Sequence, residues 1–202
     1  LLDRLQEETG IVGVSFLYQP FRHIFTNKAI TSLADFKGLK LRCMQTPVHQ
    51  EIFSTLGMSP VALPYNDIYS AMQNHTIDGF ESDAVGAVTS KFYEVASNMT
   101  ISAHFNNTMV LLMSDKAFSA MPEADQQICM EAGEAAAKAS YDCSVANNDA
   151  AIQTLKDNGM TVSEIDMTDI YAAVQPVIDK YSESIPEVKT LVEAAAAATT
   201  ND

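Results

Sequence analysis

The sequence predicts an α/β fold, and three observations carry that prediction. Between Ser32 and Glu81, short apolar runs alternate with helix-length segments: GLKLRC at 38 to 43, a helix over 47 to 57, MSPVALP at 58 to 64, a helix over 65 to 74, and TIDGFES at 76 to 82. Strands alternating with helices of this length build parallel βαβ units. The chain has 202 residues, 47% of them hydrophobic, which is enough for one large core or two small ones. From Pro122 a proline-free run reaches Gly159, with proline and glycine at the ends where helix punctuation belongs. Unbroken, that helix reaches about 55 Å, so it either spans two domains or is kinked. Ligands of open α/β sheets sit beyond the carboxyl ends of the strands. Here those ends carry Arg42, Pro64 with Tyr65, and Ser82 with Asp83.

Taken in order, LLDRLQEETG reads as a helix stopped by Gly10. IVGVSFLYQ follows as a β-branched and aromatic strand, closed by Pro20. FRHIFTNKAIT reads as a short extended or looped piece carrying Arg22, and Ser32 as the N-cap of a short turn before Gly38. After Asp83, AVGAVTSKFYEVASN reads as one helix with Val85, Val88, Phe92 and Val95 inward, and MTISAHF and NTMVLLMS as extended pieces. MTVSEI is a further strand. Two helices, DMTDIYAAVQPVIDKYSES and PEVKTLVEAAAAA, close the chain before a frayed TTND.

The charge balance excludes some partners. A net charge of −14 argues against nucleic acid and anionic membrane surfaces. No run of about 18 apolar residues offers a bilayer span, and no basic stretch followed by an apolar core opens the chain. Cys43, Cys129 and Cys143 show no metal-ligand spacing and no disulfide framework. Cys129 and Cys143 lie about 21 Å apart along one helix and cannot bridge, while Cys43 reads as a small core residue.

Function concentrates on two of the three arginines. Arg4 belongs to the solvated face of the first helix. In GLKLRC the alternation sets Leu39 and Leu41 against Lys40 and Arg42, placing a guanidinium at a strand end, where its two-pronged donor suits a carboxylate. Pairing with a nearby acid is the simpler alternative in a chain with 26 acidic residues, and the same ambiguity holds for Arg22 among Phe21, His23 and Phe25. Neither GxSxG, GxGxxG nor GxxxxGK[ST] occurs, the four histidines lack ligand spacing, and no cofactor or metal is implied. Glu81 and Asp83, two apart with no third partner, read as structural rather than as an acid–base pair. The residues alone lead to an acidic α/β ligand-binding domain or a small α/β enzyme acting on a carboxylate substrate.

The central stretch resembles the DctP-like solute-binding proteins of tripartite ATP-independent periplasmic (TRAP) transporters. Phe36 to Arg42 matches their lKGlKiR segment, Thr55 to Glu81 their segment ending DG.E, and Lys91 to His104 their k.yEv segment, in order and over roughly half the chain. The resemblance implies a two-domain Venus flytrap of α/β domains with a long domain-crossing helix and a ligand clamped in the cleft. It places residues 1–20 and 108–147 in what remains of the first domain, whose N-terminal part has no counterpart here and whose apolar surface is then exposed. Residues 21–107 and 148–202 make the second. By the same resemblance Arg42 holds the ligand carboxylate, Arg22 is a second arginine facing the ligand, and Tyr65 lines the cleft. Ser82 stands where members carry asparagine, Gln45 and Asp83 are secondary contacts, and His104 and Asn106 edge the site. The implied activity is capture, without catalysis or cofactor, of a small organic acid such as a uronate, aldonate or dicarboxylate, in the periplasm or lipid-anchored at the cell surface. The implied partners are the transporter's membrane subunits.

Overall fold

The computed structural model describes residues 1–199, so the frayed end expected of TTND falls, from Thr200 on, outside the described residues. The chain folds into two compact units, and it passes between them after His23, Glu81, Tyr93, Ser102 and Gly159. These passages differ from the expected 20, 107 and 147. Residues 82–93 join the first unit because α4 (Ala84–Thr89) packs on α6 (Glu123–Asp157), which belongs whole to that unit.

In the first unit, α1 (Leu2–Thr9) ends at Gly10, whose φ of 67° no β-carbon opposes and whose N–H bonds the Gln6 carbonyl. β1 (Ile11–Leu17) pairs antiparallel with β7 (Met109–Ser114), Ile11 opposite Ser114 and Leu17 opposite Met109. The long segment is a single uninterrupted helix of 35 residues that packs on β1. Gly133 lets it approach: a β-carbon there would lie 2.6 Å from Val14 Cγ1 and 3.1 Å from the Val14 carbonyl oxygen. β1 is thereby buried along Val12 to Ser15, whereas Met109, Val110, Leu111 and Leu112 of β7 stay exposed. Cys129 and Cys143 are free thiols on α6.

The second unit is built on a six-stranded sheet in the order β4-β3-β5-β2-β6-β8, of which the Phe21–His23 end of β2, Ser82 of β5 and the Ala103–Asn106 end of β6 count with the first unit. Its strands are β2 (Phe21–Thr26), β3 (Lys40–Cys43), β4 (Ser59–Ala62), β5 (Gly79–Ser82), β6 (Asn98–Asn106) and β8 (Thr161–Glu164). β3 pairs parallel with β4 and with β5, and α2 (Pro47–Thr55) and α3 (Ile68–Gln73) make the crossovers, as the alternation required. Tyr65–Asp67 form a 3-10 turn that leads into α3. The turn before Gly38 carries the reciprocal bonds of a capping box, with Asp35 Oδ2 accepting from the Ser32 N–H at 2.9 Å. Leu39, Leu41, Cys43 and Phe53 share a core with Ile170 and Val174 of α7 (Thr168–Ser184). The Phe25 and Phe80 rings stack at 5.1 Å. α8 (Pro186–Thr199) follows α7 and packs against it.

Of two local expectations left to decide, the first resolves to its extended alternative and the second is corrected. FRHIFT is a full strand inside the sheet, with every residue from Arg22 to Thr26 buried. The helix expected from Ala84 onward stops at Thr89, because Lys91 turns left-handed at φ 54°, and resumes only as a 3-10 turn at Phe92–Glu94. That break puts Ala84, Ala87, Phe92 and Ala96 inside and leaves Val85, Val88 and Val95 half-buried.

Gly79 shows how tightly the sheet is set. A β-carbon on it would lie 2.5 Å from the Phe25 carbonyl oxygen and 2.7 Å from Thr26 Cγ2. Backbone cannot yield as a flexible side chain does, so Gly79→Ala is expected to cost about 1–3 kcal/mol, the range for overpacked sites. A lowered thermal midpoint in calorimetry checks this.

Candidate ligand-binding residues

β3 ends in residues buried on both faces, which corrects the shared polar face expected of Lys40 and Arg42: Lys40 is exposed, but Arg42 is 3% exposed. Its guanidinium is held on three sides. Nε donates to the Leu63 carbonyl at 2.8 Å, Nη1 to Glu81 Oε1 at 3.2 Å, and the Tyr65 ring centroid lies 5.8 Å from Cζ. The β3–β5 register sets Arg42 opposite Phe80 and so brings Glu81 alongside it. Glu81 is fully buried, and a buried carboxylate needs such a partner. Burial pushes the neighbouring Cys43 thiol up, with Glu81 adding to the effect and Arg42 opposing it. Gln45 is exposed two residues beyond the strand.

Arg22 has its own setting in the first unit. It is 4% exposed, with Nη1 3.9 Å from Asp83 Oδ2 and its guanidinium carbon 5.5 Å from the Phe105 ring centroid. Asp83 serves twice, since its Oδ1 accepts the Gly86 N–H at 2.7 Å and caps α4. Ser82 beside it is fully buried. Asn106 donates its amide to the Gln19 carbonyl and accepts from Thr108 Oγ1 at 3.0 Å, so it ties the end of β6 to the loop after β1. His104 packs edge-on against Phe105 at 5.1 Å. Thus Arg42 and Tyr65 come together, as do Arg22 and Asp83. Glu81 and Phe105 are the additions, and the two acids, taken together from sequence, each serve a different arginine.

His23, adjacent to Arg22, accepts the Ala103 N–H at Nδ1, 3.2 Å away. Burial lowers its pKa from 6.5 to about 4, against the opposing pull of Asp83. Between these values the unfolded chain binds a proton that the folded chain does not. The contribution is therefore complete above pH 6.5 and is lost as pH falls toward 4, to the extent of about 3 kcal/mol. Urea midpoints are expected to drop across that window, and His23→Gln should flatten the drop. Among the described residues, no group of three or more histidine, cysteine or acidic side chains is arranged to hold a metal ion.

Solved structures place this fold in the class of TRAP periplasmic solute-binding proteins. One from Sulfitobacter sp. NAS-14.1, with bound α-D-taluronate, matches with a TM-score of 0.88 and 33% identity over 96% of this chain and 63% of that one. Another from Citrobacter koseri, with bound D-glucuronate, matches with a TM-score of 0.89 and 25% identity over 95% of this chain and 64% of that one. In sequence, a solute-binding protein of Sulfitobacter sp. (strain NAS-14.1) is 34% identical over 187 residues, 92% of this chain and 57% of that protein. The chain belongs to the DctP family, bacterial extracellular solute-binding protein family 7, whose model matches residues 1–184. That is a family of binding proteins and not of enzymes, which removes the enzyme alternative. The chain spans about half the length of the curated relatives it matches. Among the described residues, no helix is long and apolar enough to cross a membrane.

Proposed function

We propose that this chain captures a small organic acid, a uronate or aldonate in the first instance, through a carboxylate docked on Arg42. The observation that carries the reading is the guanidinium itself: buried at the carboxyl end of a parallel strand, steered by Leu63 and Glu81, and bordered by the Tyr65 ring. An arginine fixed in this way meets a carboxylate without losing further side-chain freedom. Within the second unit Gln45 is a further candidate contact; in the first unit Arg22, with Asp83 beside it, is by itself a candidate for a polar or anionic group, bordered by Ser82 and Asn106. The taluronate and glucuronate held by the matching structures favour sugar acids over simple dicarboxylates. In this reading the protein works outside the cytoplasm, in the periplasm or on a lipid anchor, and delivers its ligand to the membrane subunits of a TRAP transporter.

A thermal-shift panel of uronates, aldonates, dicarboxylates and keto acids tests the reading. A ligand at a hundred times its dissociation constant adds about 2.7 kcal/mol of stability. The expected result is a raised midpoint with a sugar acid and no chemical change in the recovered acid. A cooperatively melting chain that no acid shifts would contradict it.

A further inference from the structure

The face of β2 opposite Arg22 carries a separate feature. Adjacent strand residues point to opposite sides, so Phe21 and His23 look away from the arginine. There, within the first unit, lies a pocket of about 320 Å³ lined by Tyr18, Pro20, Phe21, His23 and Ala103 and, from α6, by Ser144, Val145, Asn148 and Asp149. His23 is 4% exposed, and its Nδ1 is occupied by the Ala103 N–H. In the neutral imidazole the proton then sits on Nε2. This donor has no hydrogen-bond partner among the described residues, although the ring lines the pocket. Nε2 is not among the buried atoms that lack a partner, so it stays open to solvent, and a bound molecule can take the place of water as its acceptor.

We propose that this pocket is a second binding site, for a small uncharged polyhydroxy compound such as a pyranoside. The lining decides the class. It contains no lysine or arginine, and the Asp149 carboxylate repels an acid. An ammonium ligand only donates, so it cannot satisfy the His23 N–H. A hydroxyl does both, accepting from His23 while donating to Asp149 or Asn148. Tyr18, Pro20, Phe21 and Val145 offer the apolar wall against which the C–H face of a sugar ring packs; Phe21 is 47% and Val145 54% exposed, so that wall is open to a ligand. The site therefore selects an uncharged ligand where Arg42 takes an anion, and it does not depend on the acid-binding reading.

The test uses the whole 202-residue chain, labelled with ¹⁵N and titrated with methyl β-D-glucopyranoside. The expected result is saturable shifts at Tyr18, Phe21, His23, Ala103 and the 144–149 stretch, retained in Arg42→Ala. Asp149→Leu, a surface change on α6 that does not threaten the fold, should weaken binding about fivefold, the equivalent of one hydrogen bond. His23→Phe should abolish it if that variant folds, and Asn148→Leu supplies a second loss independent of the buried ring. Absence of saturable shifts at millimolar pyranoside overturns the proposal. So do shifts that vanish with Arg42→Ala but survive Asp149→Leu.

Discussion

Arg42→Ala is expected to lower the affinity for a sugar acid at least about tenfold, and about a hundredfold where both prongs of the guanidinium engage the carboxylate. Each charge-assisted hydrogen bond contributes roughly 1.5–3 kcal/mol, and tenfold in affinity is about 1.4 kcal/mol. Arg42→Lys should fall between the two, because an ammonium keeps the charge but loses the planar fork. Titration calorimetry on the three proteins reads this directly. Stability must be measured beside affinity, since the alanine variant also strips Glu81 of the Nη1 bond at 3.2 Å. An alanine variant that folds and binds as well as the parent would remove Arg42 from the site.

The second large effect concerns Glu81. Glu81→Ala leaves the Arg42 charge buried without its carboxylate, and breaking such a pair from one side costs about 3–5 kcal/mol. Glu81→Gln, which keeps the shape and one acceptor, should cost less. The informative variant is the double one, Arg42→Met with Glu81→Leu, which removes both charges at once. Replacing a buried pair by apolar groups of similar volume is often neutral or stabilising, so urea denaturation should show the double variant close to the parent and well above Glu81→Ala. If it is stable and binds no acid, the pair is there to present a guanidinium to the ligand. If the double variant is as unstable as the single, the pair is a structural element of the sheet and the assignment to binding loses its force.

The elements legible in the sequence are those that local patterns decide. Between Gly38 and Ser82 the alternation of apolar strands with short helices is enough to specify β3, α2, β4, α3 and β5 and their parallel order. Gly10 and Ser32 marked their turns correctly because capping chemistry is local. What stayed hidden depends on partners distant in the chain. Arg22 and His23 leave β2 open between an extended and a looped piece, since their burial relies on Asp83, Phe105 and the Ala103 N–H, the last 80 residues away. Glu81 looked like half of an idle carboxylate pair because its arginine stands 39 residues earlier and meets it only through the β3–β5 register. The end of α4 was missed for another reason: Lys91 adopts a positive φ that no glycine announces. Arg42 and Tyr65 are legible as a pair because Arg42 lies at the carboxyl end of β3 and Tyr65 opens the turn that follows its parallel neighbour β4. Phe105 was not, because nothing in MTISAHF distinguishes a ring under a guanidinium from a core aromatic.

The most direct test of the central claim follows the Arg42 Nε–H resonance while D-galacturonate, and separately its methyl ester, is added to the chain. The two compounds share size, hydroxyls and ring, and differ in the carboxylate charge. A carboxylate seated on Arg42 predicts a saturable shift of that resonance with the acid and none with the ester at the same concentration. An equal response to both, or a bound acid that leaves the Arg42 resonance unmoved, would contradict the account.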